Sequence, residues 1–319
     1  MKNFNPILKL MSKYQSKLNQ LATCHCCPRQ CGADRLDGKT GQCGMADKIK
    51  VSYAGLHHGE EPPISGYKGS GTIFFAGCNL HCVFCQNYQI SQEFLHTPLQ
   101  SWTSTDLALE MMSLQVRGAH NINFVSPSQM VFQIAEAIEI ARKKGLAIPT
   151  IYNSNGYDSL DVLKQVKGLF DIYMPDLKYM DNLSGERLSD VKDYAEIAPK
   201  AIQEMLNQVG QLELDGEGIA QKGILVRHLV LPGLIENSEK CLAFLAELSP
   251  QIHVSIMSQY SPRYKADSNP LINRPLRCHE YQRILDFALG LGLDNAFIQE
   301  LSSQDHCLPD FNSKKPFDE

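Results

Sequence analysis

Short apolar runs alternate with amphipathic segments along most of this chain after residue 70. Each run is continuous and bounded by polar or glycine-containing segments, which is typical of strands buried on both faces. Six clear runs and a weaker seventh predict strands at residues 72–76, 121–125, 149–152, 170–174, 224–230, 252–257 and 295–299.

The segments between these runs predict helices, because their apolar residues recur every three or four positions. These helices cover residues 103–118, 129–144, 160–166, 181–211, 238–248 and 278–289. In the first, Thr103 and Asp106 predict a capping box, and Gly118 predicts the end of the helix. Strands that alternate with helices are typical of a parallel sheet. We therefore predict an α/β protein with a partial (β/α)6 TIM-like barrel, short of the eight strands of a closed barrel.

Composition divides the chain into three parts. Residues 1–65 hold a predicted short helix near residues 5–20 and then a cysteine-rich extension with almost no apolar core. Residues 66–300 form the predicted barrel, and residues 301–319 form a C-terminal tail. Because a small segment without a core is often ordered by a metal, we predict that the N-terminal extension binds one.

Charge and hydrophobicity argue against several classes of partner. The 319 residues are 43% hydrophobic and carry a net charge of −5 without a long basic run, so no nucleic-acid partner is indicated. The N-terminus lacks the apolar core of a signal peptide, and no apolar run is long enough to span a membrane. We therefore predict a cytoplasmic protein whose 11 cysteines stay reduced and serve metals or catalysis.

Three cysteines, Cys78, Cys82 and Cys85, follow the first predicted strand with the spacing C-x3-C-x2-C. An odd set of three cannot pair completely in disulfides. Three thiolates on one short loop are able to bind three irons of a cubane cluster and leave the fourth iron open to a ligand. The alternatives are half of a zinc site and three unligated buried thiols.

Four further cysteines, Cys24, Cys27, Cys31 and Cys43, lie in the extension with the spacing C-x2-C-x3-C-x11-C. Four thiolates suit either a tetrahedral zinc or a second iron–sulfur cluster, and ligand type alone does not decide between them. Cys26 is a spare thiol that is able to replace a neighbour. The remaining alternative is a set of unligated thiols on a polar loop.

Polar residues follow most of the predicted strands, at the ends where parallel barrels carry their active sites. The segments concerned are residues 78–85, 126–129, 153–156, 175–178 and 258–261. Singly, each suits an ordinary turn, but their agreement at successive strand ends predicts one shared site. Arg227 lies inside an apolar strand, and a buried charge needs a partner, so we predict a carboxylate beside it. Residues 57–61, His-His-Gly-Glu-Glu, suit either a metal site or a proline-braced loop.

The cysteine loop, with Phe84 directly before its last cysteine, resembles the signature of the radical S-adenosylmethionine enzymes. Residues 77–88 resemble more narrowly the activating enzymes of glycyl-radical enzymes, the group around pyruvate formate-lyase activase. The N-terminal cysteine pattern is similar to a module on one branch of activase-like proteins. This resemblance covers nearly all of residues 20–300. It implies a partial barrel and a [4Fe-4S] cluster that cleaves S-adenosylmethionine to a 5′-deoxyadenosyl radical, which abstracts a hydrogen atom.

The same resemblance implies roles for the strand-end residues. Asp176 and Lys178 match an Asp-Leu-Lys segment near the methionine end of the cofactor and a monovalent cation. Arg227 matches an arginine that faces the cofactor carboxylate, and Asn153 and Asn155 match a loop over the cofactor. The other cofactor-binding candidates are Phe84, Ser126, Ser128 and Gln259.

Two positions depart from the pattern of the resembling family. Residues 126–128, Ser-Pro-Ser, replace a Gly-Gly-Glu segment, so backbone or hydroxyl acceptors must meet the amino group of the cofactor. Gln259 or Tyr260 stands where a histidine is expected on the adenosine side.

The sequence leaves three hypotheses for the function. The first is a radical enzyme that abstracts hydrogen from a macromolecule, such as a glycyl residue of a partner enzyme, with an electron donor such as flavodoxin or ferredoxin. The second is a radical maturase or transferase that modifies another protein or a small molecule. The third is a non-catalytic zinc or iron–sulfur binding protein.

Overall fold

A ten-stranded sheet lies at the centre of the computed structural model, which describes residues 14–94, 97–305, 308–313 and 315–317. Its strands are β1 (Ile49–His57), β2 (Ser70–Phe75), β3 (Gln100–Trp102), β4 (Ile122–Val125), β5 (Thr150–Ser154), β6 (Ile172–Pro175), β7 (Glu213–Leu214), β8 (Ala220–Leu229), β9 (His253–Met257) and β10 (Ala296–Ile298). The α-helices of these residues are α1 (Pro62–Ser65), α2 (Tyr88–Ser91), α3 (Ser104–Val116), α4 (Val131–Lys143), α5 (Leu160–Gln165), α6 (Asn182–Ser189), α7 (Tyr194–Val209), α8 (Ile235–Leu248) and α9 (Cys278–Gly290).

The sheet has the order β10-β9-β8-β6-β5-β4-β2-β1-β3, with β7 paired to β8 outside this path. Every neighbouring pair from β10 to β2 is parallel, whereas β1 pairs antiparallel with both β2 and β3. The predicted partial barrel is therefore confirmed, and the weakest predicted strand is present as β10. Because these strands are parallel, their carboxyl ends meet at one edge of the sheet.

Local sequence signals explain several element boundaries. The capping box at α3 is confirmed, since Asp106 N donates to Thr103 Oγ1 at 3.2 Å and Thr103 N donates to Asp106 Oδ2 at 2.8 Å. The single helical region expected at residues 181–211 is corrected to two helices, α6 and α7. Asp190 ends α6 in a left-handed conformation, with φ of 57°, and asparagine and aspartate adopt that conformation more readily than most residues.

Strand β1 was missed by the sequence analysis, which predicted no strand before residue 72. Its burial alternates only in part, because one side of it is close to the edge of the sheet. No continuous apolar run therefore marks it. The segment before residue 66 thus contributes a strand to the sheet.

The N-terminal part packs against the barrel. Of the predicted helix at residues 5–20, the portion before residue 14 lies outside the described residues, and residues Gln15–Thr23 form a 3-10 helix. Tyr14 and Leu21 are buried in the same hydrophobic core as Ile134 of α4. Within the described part of the chain, no helix combines the length and apolar character needed to cross a bilayer.

Candidate metal and cofactor site

The cysteine loop follows β2 and is fixed to its surroundings by backbone contacts. Gly77 has a φ of +75°, and a Cβ added there would lie 2.4 Å from the carbonyl oxygen of Cys43. Only glycine combines this conformation with so close an approach. Farther along the loop, His81 N donates to Ser189 O at 3.1 Å and Val83 N donates to Leu188 O at 2.9 Å. The end of α6 therefore holds the middle of the loop.

Each of the three loop cysteines has a polar side chain next to its sulfur. Asn155 Nδ2 donates to Cys78 Sγ at 3.3 Å. Hydrogen bonds of 3.0 Å and 3.3 Å join Cys82 Sγ to Ser189 Oγ and Cys85 Sγ to Ser91 Oγ, respectively. These partners come from three different elements: the loop after β5, the end of α6 and the end of α2. A thiolate bound to a metal needs such donors in its surroundings.

Burial raises the pKa of all three thiols, to about 12 for Cys78 and about 11 for Cys85, with a further increase in both from the neighbouring Cys82 sulfur. Burial also raises the pKa of Cys82, against the opposing effect of Lys178. Thiolates are therefore disfavoured here without a cation, and a bound metal would supply the compensating positive charge.

A cavity of about 360 Å³ opens between this loop and the carboxyl ends of the parallel strands. Its volume is in the usual range for a small-molecule site. Eleven of the predicted barrel-site residues line it: Cys78, Cys82, Phe84, Cys85, Ser126, Asn153, Asn155, Asp176, Lys178, Arg227 and Gln259. The structure thus brings the strand-end residues into one site, as the topology predicts.

Ser128 is the barrel-site candidate that does not line this cavity. It is buried, and its hydroxyl donates to Asp158 Oδ1 at 2.6 Å. Tyr152 OH and Ser154 Oγ donate to the same carboxylate at 2.8 Å and 2.5 Å. Burial raises the pKa of Asp158, against these hydrogen bonds. The hydroxyl cluster fixes the base of the loop that carries Asn155.

Two cations in the wall of the cavity are paired with carboxylates. Lys178 Nζ is 2.5 Å from Asp176 Oδ2. Burial would lower the pKa of Lys178, but Asp176 and Cys82 outweigh this effect and raise it, so the amine is charged. Arg227 pairs with Glu60 and Glu61, which confirms the prediction of a carboxylate beside this arginine.

Sequence reasoning missed several residues of this site. Glu60 and Glu61 were noted as part of a metal-or-loop segment but were not matched to Arg227. Ser91 and Ser189 carried no signal, because isolated serines at helix ends are common. The one available hint was the position of both glutamates directly before two prolines, because a proline restricts the backbone of the residue before it.

The C-terminal segment also reaches the cavity, which Pro309 and Phe317 help to line. The Phe317 ring centroid lies 4.3 Å from that of His57 and 5.2 Å from that of Phe74. Phe311 N donates to Gln89 Oε1 at 2.9 Å and anchors the segment beside α2. A piece of polypeptide therefore contacts the mouth of the site.

Two of the N-terminal cysteines, Cys24 and Cys26, lie beside a fully buried arginine, Arg35. Arg35 Nη1 lies 3.7 Å from Cys24 Sγ and 3.8 Å from Cys26 Sγ. Among the described residues, the other acceptors of Arg35 are carbonyl oxygens and a methionine sulfur, with no carboxylate. Of the predicted ligands, Cys24, Cys27 and Cys43 are buried and Cys31 is exposed.

No three His, Cys, Asp or Glu side chains in the described ranges converge on a point that would hold a single ion. A cubane cluster makes a different demand, because each cysteine binds its own iron and the sulfurs need not share one point. The loop of Cys78, Cys82 and Cys85 fits such a cluster by its free thiols, its hydrogen-bond donors and the adjoining cavity.

The fold is similar to that of solved structures of cofactor-dependent proteins. The chain aligns with Streptococcus suis SuiB bound to S-adenosylmethionine with a TM-score of 0.50 and 15% identity, over 70% of this chain and 48% of SuiB. A radical SAM methyltransferase from Sphaerobacter thermophilus aligns with a TM-score of 0.49 and 14% identity, over 72% of this chain and 66% of that one. The chain thus spans about half the length of SuiB. The likeness to SuiB establishes the class of fold, an α/β partial barrel.

A curated relative identifies the family. The chain is 32% identical over 291 residues to "Uncharacterized protein MJ0674" of Methanocaldococcus jannaschii, an alignment that covers 88% of this chain and 79% of the relative. The protein belongs to the same family as MJ0674. No family model matches the chain.

Proposed function

We propose that this protein is a radical S-adenosylmethionine enzyme that binds a [4Fe-4S] cluster through Cys78, Cys82 and Cys85. The observation that carries the proposal is the position of this loop, at the carboxyl ends of the parallel strands and in the wall of a cavity of about 360 Å³. The cluster and S-adenosylmethionine would together supply a 5′-deoxyadenosyl radical for hydrogen abstraction. The protein would supply binding, orientation and exclusion of water.

Within this proposal, two cations of the cavity wall, Lys178 and Arg227, each interact with negatively charged groups. Lys178 is charged and acts electrostatically on both Cys82 and Cys85, so it offsets the charge of their thiolates. Arg227 is fixed by Glu60 and Glu61, so its position does not depend on a ligand. A monovalent cation would be met by Asp176 and the neighbouring Asn153, which line the same wall.

Charge complementarity favours the cofactor. Among the described residues that line the cavity, Glu60, Glu61 and Asp176 face Lys178 and Arg227, which leaves an excess of one negative charge. S-adenosylmethionine carries a sulfonium, an ammonium and a carboxylate, so it is cationic overall. Complementary charge of this kind favours entry and orientation of the ligand.

The test is anaerobic reconstitution of the full chain with iron and sulfide, followed by reduction and measurement of 5′-deoxyadenosine. We expect Cys82→Ala to abolish cleavage of S-adenosylmethionine. Cys278→Ala is the matched control, because Cys278 is exposed at the start of α9 and far from the loop in sequence. Failure of the reconstituted wild-type protein to cleave, or full iron content in the triple alanine variant of the loop, contradicts the proposal.

We propose a peptide or protein as the hydrogen donor, with a glycyl Cα–H of a partner enzyme as the first candidate. The resemblance of residues 77–88 to the activases supports this, and so does the contact of the chain's own C-terminal segment with the cavity mouth. A glycyl radical detected by spin resonance on a candidate partner would support it. Cleavage without such a radical would favour a maturase or transferase that acts on another protein or a small molecule.

For the extension, we propose a second metal centre at Cys24, Cys27, Cys31 and Cys43. An iron–sulfur cluster fits the described positions of these residues, whereas a single zinc ion would need their sulfurs to converge further. Buried Arg35 supports it, because a buried guanidinium beside sulfurs and without a carboxylate needs negative charge nearby. Metal analysis of Cys43→Ala should find one centre lost while the other remains. Metal in the extension alone, without cleavage, would instead indicate a non-catalytic metal-binding protein.

Two further parts of the proposal concern the electron donor and the cellular compartment. The electron would come from a low-potential donor such as flavodoxin or ferredoxin, because reductive cleavage of S-adenosylmethionine consumes one electron. The ten cysteines of the described residues are all free thiols, which supports a reducing compartment such as the cytoplasm.

A further inference from the structure

Cys82 lies at the end of a buried row of two hydroxyl groups. Tyr179 OH is 2.9 Å from Ser189 Oγ, and Ser189 Oγ is 3.0 Å from Cys82 Sγ. Tyr179 and Ser189 are 0% and 1% exposed, so water does not replace these contacts. Ser189 is also fixed through its backbone, because its carbonyl oxygen accepts from His81 N at 3.1 Å.

The direction of this row follows from the state of the sulfur. A cysteine that binds iron does so as a thiolate and has no proton to donate. Ser189 must then donate its only hydroxyl proton to Cys82 Sγ. The oxygen of Ser189 is left to accept the proton of Tyr179, so that both hydroxyls point toward the sulfur.

We propose that Tyr179 and Ser189 form a hydrogen-bond relay to Cys82 that raises the reduction potential of the cluster. The inference rests on the proposed function and names residues that position and tune the cluster. Hydrogen bonds to cluster sulfurs stabilise the reduced state, because that state carries more negative charge. A donor that is itself hydrogen-bonded is polarised and becomes stronger, so Tyr179 acts through Ser189.

The relay differs from the contacts of the other two cysteines. Cys78 and Cys85 are partly exposed, and their contacts with Asn155 and Ser91 are also partly exposed, so water competes with them. The contact between Cys82 and Ser189 is buried. Since screening is weaker in a buried site, this contact should affect the potential most.

The experiment is an anaerobic redox titration of the reconstituted full chain, followed by spin resonance of the reduced cluster. We expect a more negative midpoint potential in Ser189→Ala and a smaller shift of the same sign in Tyr179→Phe. In the double variant, the potential should equal that of Ser189→Ala, because Tyr179 acts only through Ser189. Tyr173→Phe and Ser238→Ala are matched controls, since both residues are buried and hydrogen-bonded elsewhere.

The outcomes separate the relay from the function on which it rests. If the wild-type protein binds a cluster and cleaves S-adenosylmethionine, but both relay variants keep its potential, the relay is wrong and the function stands. If the wild-type protein binds no cluster at Cys78, Cys82 and Cys85, both are overturned. An additive effect of Tyr179→Phe in the Ser189→Ala background also overturns the relay. Because Tyr179→Phe removes one oxygen atom only, it keeps the test decisive if Ser189→Ala folds poorly.

Discussion

Arg227 Nε donates to Glu61 Oε1 at 2.8 Å, and the two residues are 166 positions apart in the chain. Glu61 directly precedes α1, and Arg227 lies in the middle of the parallel sheet in β8. Nη2 of the same guanidinium contacts Glu60 and the second oxygen of Glu61. The contact therefore fixes the segment between β1 and α1 against strand β8 in the wall of the site.

Replacement of this arginine should destabilise the fold. In Arg227→Met, two buried carboxylates lose their cation, and removal of one partner of a buried pair costs about 3–5 kcal/mol. Urea unfolding at pH 7 measures the loss. Arg283→Met is the control, because its pair with Glu239 is exposed and should contribute at most about 1 kcal/mol. Equal losses in the two variants would contradict this account.

The deficit of Arg227→Met should shrink in acid. Burial would raise the pKa of Glu61, but Arg227 outweighs burial and lowers it in the wild-type protein. A depressed carboxyl pKa stabilises the fold above the unfolded value, and this contribution is lost as the pH falls through the folded value. As the pH falls, the wild-type protein therefore loses the stabilisation that Arg227 gives to the Glu61 carboxylate. Arg227→Met lacks this stabilisation at every pH, so the difference in unfolding free energy between the two proteins decreases.

Gly77→Ala should cost more than the same change at Gly118. Both glycines have positive φ, which costs other residues about 1–2 kcal/mol. A Cβ at Gly118 meets nothing within 4 Å, whereas at Gly77 it meets Cys43 O at 2.4 Å. We therefore expect a larger fall in unfolding free energy for Gly77→Ala and a loss of cluster binding in that variant alone. The interpretation fails if Gly118→Ala is as costly.

Stability should depend on pH through His228. This side chain is buried, and burial lowers its pKa to about 4, against its hydrogen bond to Leu177 O. Since the unfolded value is about 6.5, the unfolded chain binds an extra proton between those two pH values. The free energy of unfolding should therefore fall as the pH falls from 6.5 to 4, by up to about 1.4 kcal/mol per pH unit.

His228→Asn tests this assignment, because asparagine keeps a donor near the position of Nδ1 and does not titrate. Urea unfolding at pH 7.5 and pH 5.0 should show a smaller pH effect in the variant than in the wild-type protein. Parallel loss of stability in the two proteins would mean that other groups cause the effect.

Removal of the Phe317 ring should open the mouth of the cavity. This ring packs on His57 and Phe74 at the edge of the site. In Phe317→Ala we expect a thiol reagent to modify Cys78 and Cys85 severalfold faster, as followed by mass spectrometry of the metal-free protein. Leu289→Ala, at an exposed position of α9, is the control. An unchanged rate would show that the C-terminal segment does not limit access.

Much of the architecture follows from local patterns. Continuous apolar runs marked the strands β2, β4, β5, β6, β8 and β9 because those strands are largely buried, and Thr103 with Asp106 marked the start of α3 through a contact three residues apart. Strand β1 and the break at Asp190 lacked such signals. Strand β1 is stabilised by its pairing with β2. Helix α6 ends at Asp190 because this residue adopts a left-handed backbone conformation, which depends on the surrounding structure.

The sequence by itself determined the cysteine loop and the alternation of buried parallel strands with helices, because both depend on residues close together in the chain. Only the tertiary structure decided which carboxylates neutralise Arg227 and which hydroxyls reach Cys82. Those contacts join residues up to 167 positions apart. Burial selects them, since inside the protein a charge or a sulfur must find its partner from whatever side chains the packing brings near.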